Sequence, residues 1–408
     1  MMRERIYCGL DLGSQSIKSS AVKTRSGGHA EILGVHESPT VGLKKTSIAD
    51  LNELSEAIHQ NLKNLAKKIN LKIKDIQLGI GGHFIESRYS HAVVPLLDKG
   101  GKAITRGDIR NVNQHARLLG IKMEEEMLHD FPQNYTVDDI INTSSDPLGL
   151  YGRKLGVNSL LIFTKVALAS NIIRAVNQVG FEASRMTFSS LCCAQHVLNK
   201  KSRNDGCIFI DVGASTADIL IFKDNVLRQI DIIHLGGDHV TKNIAQSLNL
   251  PFDLAEDIKK SYAVALADDA KKTGEILIKR DANYMPIRRE KIYEAIEPEI
   301  TKLVNAISNT IQSSGLSDKL AGGIVVGGGG ALLPGFIERV EETTKMASMM
   351  GRIGAAASGV NNAVVFGAAI SLAQGATSRL ADFSVSPQPR GHVKNVFHRI
   401  RELYEEYF

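Results

Sequence analysis

The chain has 408 residues, 43% of them hydrophobic and 23% charged, an ordinary globular composition with enough length for two or more domains. Its 49 basic and 44 acidic side chains leave a net charge of +5, and no dense Lys/Arg tract occurs, so a nucleic-acid partner is excluded while weak attraction to an acidic surface is not. The four cysteines, Cys8, Cys192, Cys193 and Cys207, form no CxxC pair and no Cys/His cluster of zinc spacing, and read as reduced core thiols of a cytosolic protein.

The N-terminus "MMRERIYCGLDLG" has no apolar stretch of signal-peptide length. "IYCGLDLG" is an apolar strand meeting a turn, and "KSSAVKT" and "AEILGVHES" continue as strands. Leu51, Leu54, Ile58, Leu62 and Leu65 have helical spacing over 50–69, with Asp50 placed to cap the helix. "DIQLGIGG" returns as a strand. From about Gly82 to Leu161 the charges are dispersed, "LHDFPQ" reads as a proline break and "DPLGLYG" as a turn. This stretch reads as a small α+β module inserted into the first domain. "SLLIFTKVAL" is a strand, followed by a helix that begins over Asn171 to Val179. "DGCIFIDVGASTADILIF" is a hairpin-like pair of strands around a turn. Asp253 to Leu266 and Glu290 to Ser313 have helical patterning, and "GGIVVGGGGALLPGF" is a buried strand entering a glycine turn.

The uncharged runs 320–337 and 353–378 are too rich in Gly, or too interrupted by Asn361, Asn362 and Gln374, to be membrane spans. A linker over 376–392 contains "SPQPRG". The last segment is "VKNVFHRIRELYEEYF", and as a helix it turns roughly 100° per residue. Val393, Val396, Phe397, Ile400, Leu403, Tyr404, Tyr407 and Phe408 then fall within an arc of about 140°. Lys394 and Arg401 flank one edge of that arc and Arg399 the other, while the three glutamates lie further round. The layout suits a helix in a membrane interface, and equally a last core helix.

Three glycine turns carry the chemistry. In Asp11-Leu12-Gly13-Ser14, a strand-end carboxylate can meet the water shell of Mg2+. Gly13 lets backbone N–H groups approach phosphate oxygens, Ser14 and Ser16 add hydroxyl donors, and Lys18 can reach a phosphate. Asp211-Val212-Gly213-Ala214-Ser215-Thr216 repeats the pattern 200 residues later, which points to two related lobes around a shared cleft. Gly327 to Gly330, after "IVV", admit a flat ligand close to the backbone. Neither GxGxxG opening a helix nor GxxxxGK(S/T) is present, so dinucleotide and P-loop readings fail on spacing.

In this order, the motifs resemble the actin/hexokinase/heat-shock ATPase superfamily, in which two phosphate turns and an adenosine turn from two lobes enclose ATP–Mg2+. The resemblance implies phosphate contacts from Gly13, Ser14, Gln15, Ser16, Lys18, Gly213, Ala214, Ser215 and Thr216, and from Gly236 and Gly237 of "HLGGDHVTKNIA". It implies nucleoside contacts from Glu256 and Lys259 of "AEDIKKSYA" and from Gly328, Gly329 and Gly330. Asp11 and Asp211 would hold Mg2+ through water. "SSLCCAQHVL" and "NNAVVFGAAISLAQ" look like the two helices that connect the lobes.

The insert with "LHDFPQNYTVD" and "DPLGLYGRKL", the linker and the terminal helix narrow the match. Together they resemble the bacterial cell-division family FtsA over essentially the whole chain. The expected class is therefore α/β, an actin-like two-lobed ATPase fold with an inserted small α+β subdomain and a C-terminal amphipathic helix. Residues 1–81 and 162–198 would form the first lobe and 82–161 the insert. The second lobe would span 199–375, with a subdomain near 253–312, followed by the linker at 376–392 and the helix at 393–408. What the resemblance implies is ATP binding with at most slow hydrolysis, and self-association into filaments. It also implies tethering of the tubulin-like GTPase FtsZ to anionic lipids at the cytoplasmic face of the inner membrane, at the septum, and recruitment of later division proteins through the insert.

Departures from the family pattern D-I/V-G-G-G-T are Ala214 and Ser215, whose Cβ atoms restrict the phosphate turn, and Asn243 stands where relatives often carry Asp. No catalytic carboxylate or Gln stands out for water attack. Two further readings of this fold are a small-molecule kinase, which needs a general base and has no use for the tail, and an ATP-binding adaptor of the type IV pilus kind, PilM, which would lack the terminal helix.

Overall fold

The computed structural model describes residues 5–24, 30–44, 47–96, 101–143, 146–271, 274–280, 283–352 and 366–375. The linker at 376–392 and the amphipathic segment at 393–408 lie outside the described residues.

The chain opens with strands β1 (Arg5–Leu12), β2 (Ser16–Thr24) and β3 (Ala30–Pro39). The short β4 (Leu43–Lys44) and β5 (Ser47–Ile48) lead to helix α1 (Leu51–Ile69) and then β6 (Asp75–Ile80). Asp50 caps α1 by accepting from the N–H groups of Asn52 and Glu53, as its sequence predicts. Leu54, Ile58, Leu62 and Leu65 are fully buried along one face of this helix. The insert follows with β7 (Glu86–Pro95), β8 (Lys102–Ala103), α2 (Arg106–Gly120), β9 (Glu125–Val137), β10 (Ile140–Thr143), β11 (Tyr151–Gly152) and β12 (Lys154–Lys165). Next come α3 (Val166–Gln178), β13 (Glu182–Phe188), α4 (Ser189–Val197) and α5 (Lys200–Asp205).

The second half begins with β14 (Cys207–Val212), β15 (Ala217–Lys223) and β16 (Val226–Ile233). Helices α6 (Gly237–Ser247), α7 (Phe252–Tyr262) and α8 (Ala267–Lys271) precede the hairpin of β17 (Glu275–Arg280) and β18 (Asn283–Arg288). The long α9 (Arg289–Ser313), β19 (Ile324–Gly327), α10 (Phe336–Thr344), β20 (Ser348–Met350) and α11 (Gly367–Gly375) complete the described chain.

Two five-stranded sheets form from these strands, ordered β3-β2-β1-β6-β13 and β16-β15-β14-β19-β20. In each, three antiparallel strands in chain order are extended by two parallel ones. The two lobes are thus one architecture used twice, which is the actin-like fold. One core cluster holds Leu10, Leu62, Ile80 and Phe188 of the first lobe and continues onto Phe209, Leu220 and Phe222 of the second sheet, while another holds Ile210, Ile219, Ile300 and Phe336 of the second lobe. Helix α11 returns to the first lobe and packs directly on β1. A Cβ on Gly9 would lie 2.8 Å from both the Ala373 N and the Leu372 Cβ, and Ser20 Oγ donates to Ala369 O at 2.8 Å. The insert builds a separate antiparallel sheet, β10-β9-β12-β7, with Val112 and Ala116 of α2 packed against Val94, Val137 and Leu155.

Three expectations are corrected. Pro132 does not break the chain, because β9 runs through it. The register against β12 shifts between Asn158 and Ser159, leaving Gln133 in a bulge beside the proline that lacks a ladder donor. Helix α3 begins at Val166, inside the stretch read as strand. A continuous apolar run does not separate the two states. Helix α7 stops at Tyr262 rather than Leu266, since the Ala265 N–H bonds Pro334 O at 2.7 Å instead of continuing the helix.

Candidate functional site: a cavity between two lobes

The β1–β2 and β14–β15 hairpins close their turns with the same bond. Gly13 N–H donates to Ser16 O at 3.2 Å, and Gly213 N–H to Thr216 O at 2.8 Å. What differs is the residue facing each strand-end aspartate. Across the first hairpin Asp11 is opposite Lys18, and across the second Asp211 is opposite Asp218. Directly opposed residues of an antiparallel pair have Cβ atoms only about 5 Å apart. The first hairpin therefore pairs a carboxylate with a cation and the second sets two carboxylates together.

Helix α4, which crosses between the lobes, brings two hydroxyls to this cluster. Ser189 Oγ donates to Asp11 Oδ1 at 2.6 Å, and Ser190 Oγ to Asp218 Oδ2 at 2.7 Å. Asp218 Oδ1 is buried with no hydrogen-bond partner among the described residues. Burial raises all three carboxyls. Lys18 and the Ser189 hydroxyl pull Asp11 partway back. Asp211 is pushed up to about 6, burial first and the Asp11 charge adding to it. Asp218 is pushed up to about 7 by burial and then by the charge of Asp211.

The cluster calls for a cation. Among the described residues no group of three or more His, Cys, Asp or Glu is placed to cage a metal. Mg2+ seldom uses such a cage, keeping its waters and leaning on one or two carboxylates plus phosphate oxygens. An orphaned carboxylate oxygen beside two repelling carboxylates fits that mode.

Gly236 and Gly237 run beneath the second turn. Gly237 N–H donates to Gly213 O at 3.0 Å and Asp238 N–H to Ala214 O at 2.7 Å, and a Cβ on Gly236 would stand 2.7 Å from two carbonyl oxygens. On α7, Lys259 Nζ meets Glu256 Oε2 at 2.6 Å, Thr241 Oγ1 at 2.8 Å and Gly237 O at 3.1 Å. Burial alone would raise the Glu256 carboxyl. The Lys259 ammonium, a hydrogen bond from Thr241 and the charge of Lys260 more than offset it, so the net shift is downward. Gly328, at φ +77°, presses so close to Asp211 that a side chain there would overlap its carboxylate. Gly329 faces open space.

These elements enclose one cavity of about 560 Å3. Every residue expected at phosphate, nucleoside or cation lines it: Asp11, Gly13, Ser14, Gln15, Ser16 and Lys18 from the first lobe, and Asp211, Gly213, Ala214, Ser215, Thr216, Gly236, Gly237, Glu256, Lys259 and Gly328 to Gly330 from the second. Asn243 does not line it. Residues the sequence did not single out are Ser189, Ser190, Asp218 and His83. His83, at the start of the insert, stacks on His234 of the second lobe with centroids 5.0 Å apart. The candidate membrane residues between Val393 and Phe408 lie outside the described residues.

The family model "Cell division protein FtsA" matches residues 208–374, and "SHS2 domain inserted in FTSA" matches 82–163, the stretch that holds the insert's sheet. The chain belongs to the FtsA family. The FtsA of Pseudomonas aeruginosa is 28% identical over 349 residues, 85% of this chain and 83% of that one. The FtsA of Escherichia coli K12 is 26% identical over 341 residues, covering 81% and 80%. Among solved structures, the PilM–PilN type IV pilus biogenesis complex is similar with TM-score 0.67 at 15% identity, covering 91% of this chain and 98% of that one. MreB5 of Spiroplasma citri bound to ADP is similar with TM-score 0.53 at 13% identity, covering 90% and 94%. At such identities these two likenesses speak for the fold shared by FtsA and its structural neighbours. Among the described residues no helix is long and apolar enough to cross a membrane.

Proposed function

We propose that this chain binds ATP–Mg2+ between its lobes, polymerises on the inner face of the cytoplasmic membrane, tethers FtsZ filaments there and recruits later division proteins through the insert. The observation that carries the nucleotide part is the convergence of two Asp-x-Gly turns, a Gly-Gly segment and the Glu256–Lys259 pair on one cavity. Backbone N–H groups and hydroxyls of the turns suit phosphate oxygens. Asp11, Asp211 and Asp218 would hold the Mg2+ ion, which supplies charge neutralisation of the phosphates. Glu256 and Lys259 would meet the nucleoside. MreB5 of Spiroplasma citri, a structural neighbour, is described as bound to ADP, which supports a nucleotide in this fold.

The division role follows the family. Attachment rests on the amphipathic patterning of 393–408. Burying one large apolar side chain fully contributes roughly 1.5–3 kcal/mol, and interfacial burial is partial, so one helix binds weakly. A filament that displays many helices multiplies the attraction by avidity, so assembly and attachment reinforce each other.

The test is co-sedimentation with anionic vesicles and FtsZ filaments in the presence of ATP–Mg2+, comparing the full chain with one ending at His392. The expected result is that only the full chain carries FtsZ to the vesicles. Equal recovery from both would overturn the tether, and failure of the full chain to bind FtsZ would overturn the adaptor role.

A further inference from the structure

His129 lies on β9 of the insert and is buried, yet its ring bonds outside the insert. Its Nε2 accepts from the Phe188 backbone N–H at 3.2 Å, and the Thr187 hydroxyl lies 2.8 Å from the same atom. A backbone N–H can only donate, so Nε2 holds a lone pair rather than a proton, and the Thr187 hydroxyl donates to it as well. The Thr187 oxygen is then left to accept from Cys192 Sγ, 3.7 Å away in the first turn of α4. Phe188 ends β13 and is the residue from which α4 starts, with no side-chain cap at that end. An imidazole of the insert is thus the polar anchor where α4 begins.

Ser189 and Ser190 are the next two residues, and their hydroxyls reach Asp11 Oδ1 at 2.6 Å and Asp218 Oδ2 at 2.7 Å. A shift of about 1 Å at this end of α4 would take both bonds beyond hydrogen-bond range. The insert's contact and the cavity's contact therefore sit on adjacent residues of one backbone. We propose that His129 is a positioning residue for the cavity: it fixes the start of α4 so that Ser189 and Ser190 orient Asp11 and Asp218 for a cation. Through it the insert sets how well the cavity holds a cation-bound nucleotide. Such coupling is reciprocal, so a ligand that displaces β9 would weaken cation-dependent binding, and the bound cation would in turn stiffen the seat of β9.

This inference rests on the nucleotide reading of the cavity, and the experiment separates the two. The full chain is titrated calorimetrically with ATP, in Mg2+ and in EDTA. In place of His129, Gln sets an amide oxygen about where Nε2 stands, while Asn stops near the position of Nδ1, so Gln keeps the acceptor and Asn loses it. His129→Asn should bind ATP–Mg2+ about tenfold more weakly than wild type and ATP in EDTA within about twofold, with most of the loss recovered in His129→Gln. In a chain that already carries Ser189→Ala and Ser190→Ala, His129→Asn should cost nothing further. An equal loss with and without Mg2+, no recovery with Gln, or a further loss in the serine-free chain overturns the proposal and leaves the nucleotide site standing. Should His129→Asn fail to fold, amide exchange of the wild-type chain decides: the Phe188 N–H should exchange at least about tenfold more slowly with ATP–Mg2+ than with ATP in EDTA, and equal rates overturn the proposal. A wild-type chain that binds ATP under neither condition overturns the reading of the cavity itself.

Discussion

Replacing Asp218 by Asn should make the ligand-free protein more stable at alkaline pH. Asp218 faces Asp211 directly across the hairpin, is 3% exposed and has its carboxyl pushed up to about 7 from an ordinary 3.8. The folded state therefore keeps a proton that the unfolded state releases between those two values. Stability from this group is complete below about pH 4 and declines as pH rises through about 7. The shift corresponds to about 4 kcal/mol, spread over the Asp211–Asp218 pair. Asn keeps the shape, can still accept from the Ser190 hydroxyl and carries no charge. In thermal denaturation without nucleotide or divalent ion, the two proteins should match as pH falls through about 4, where Asp218 becomes largely protonated in both states. The variant should then gain with pH, reaching an advantage of at least about 5 °C at pH 8. Added Mg2+ and ATP should narrow the gap, because the ion neutralises the pair in wild type and has less to neutralise in the variant. A gap that does not change with pH, or a variant less stable at pH 8, would refute the reasoning that these carboxylates repel each other.

Two further outcomes follow from contacts elsewhere. Arg228 Nη1 donates to Gln133 O at 2.9 Å and so ties β16 of the second lobe to the insert, beside the Gln133 Nε2 bond to Leu227 O. Arg228→Ala should cost about 1–2 kcal/mol locally and speed amide exchange at the adjoining ends of β9 and β16 about tenfold, while exchange in α1 stays unchanged; uniform acceleration would instead mean global destabilisation. Glu256→Gln should lower the thermal midpoint by several degrees, since it strips Lys259 of its charge partner in a mostly buried site, and adding Lys259→Met should restore part of the loss. If the single variant is as stable as wild type, the pair contributes nothing to the fold.

Much of the fold was legible because the lobes repeat. Strand, Asp, Gly and hydroxyls recur at a spacing of 200, and both hairpins close with the same Gly-to-hydroxyl-residue bond. The same repeat carried the signal for Asp218, which stands seven residues after Asp211 as Lys18 stands after Asp11. A third carboxylate at the cavity was therefore readable from the alternation of β15, although a charged residue inside "STADILIF" gives no local cue. Ser189 and Ser190 had no such signal. They reach the site only because α4 crosses between lobes, a tertiary event that local pattern does not encode. Pro132 differs from its sequence expectation for a related reason: a proline demotes a strand on propensity, and only the pairing partner decides whether a bulge absorbs it. The ends of α3 and α7 were set by where backbone N–H groups found partners, on the insert's sheet for one and at Pro334 for the other.

The central claim is that the interlobe cavity holds ATP–Mg2+, and Gly329 tests it most directly. Gly329 lines the cavity, and a Cβ there would meet no atom within 4 Å, so a side chain can fill the space without straining the backbone. Calorimetric titration with ATP–Mg2+ should show saturable binding to wild type and at least a hundredfold weaker binding to Gly329→Leu, with the two thermal midpoints nearly equal. Equal affinity in a variant whose cavity is filled would place the nucleotide elsewhere and contradict the account.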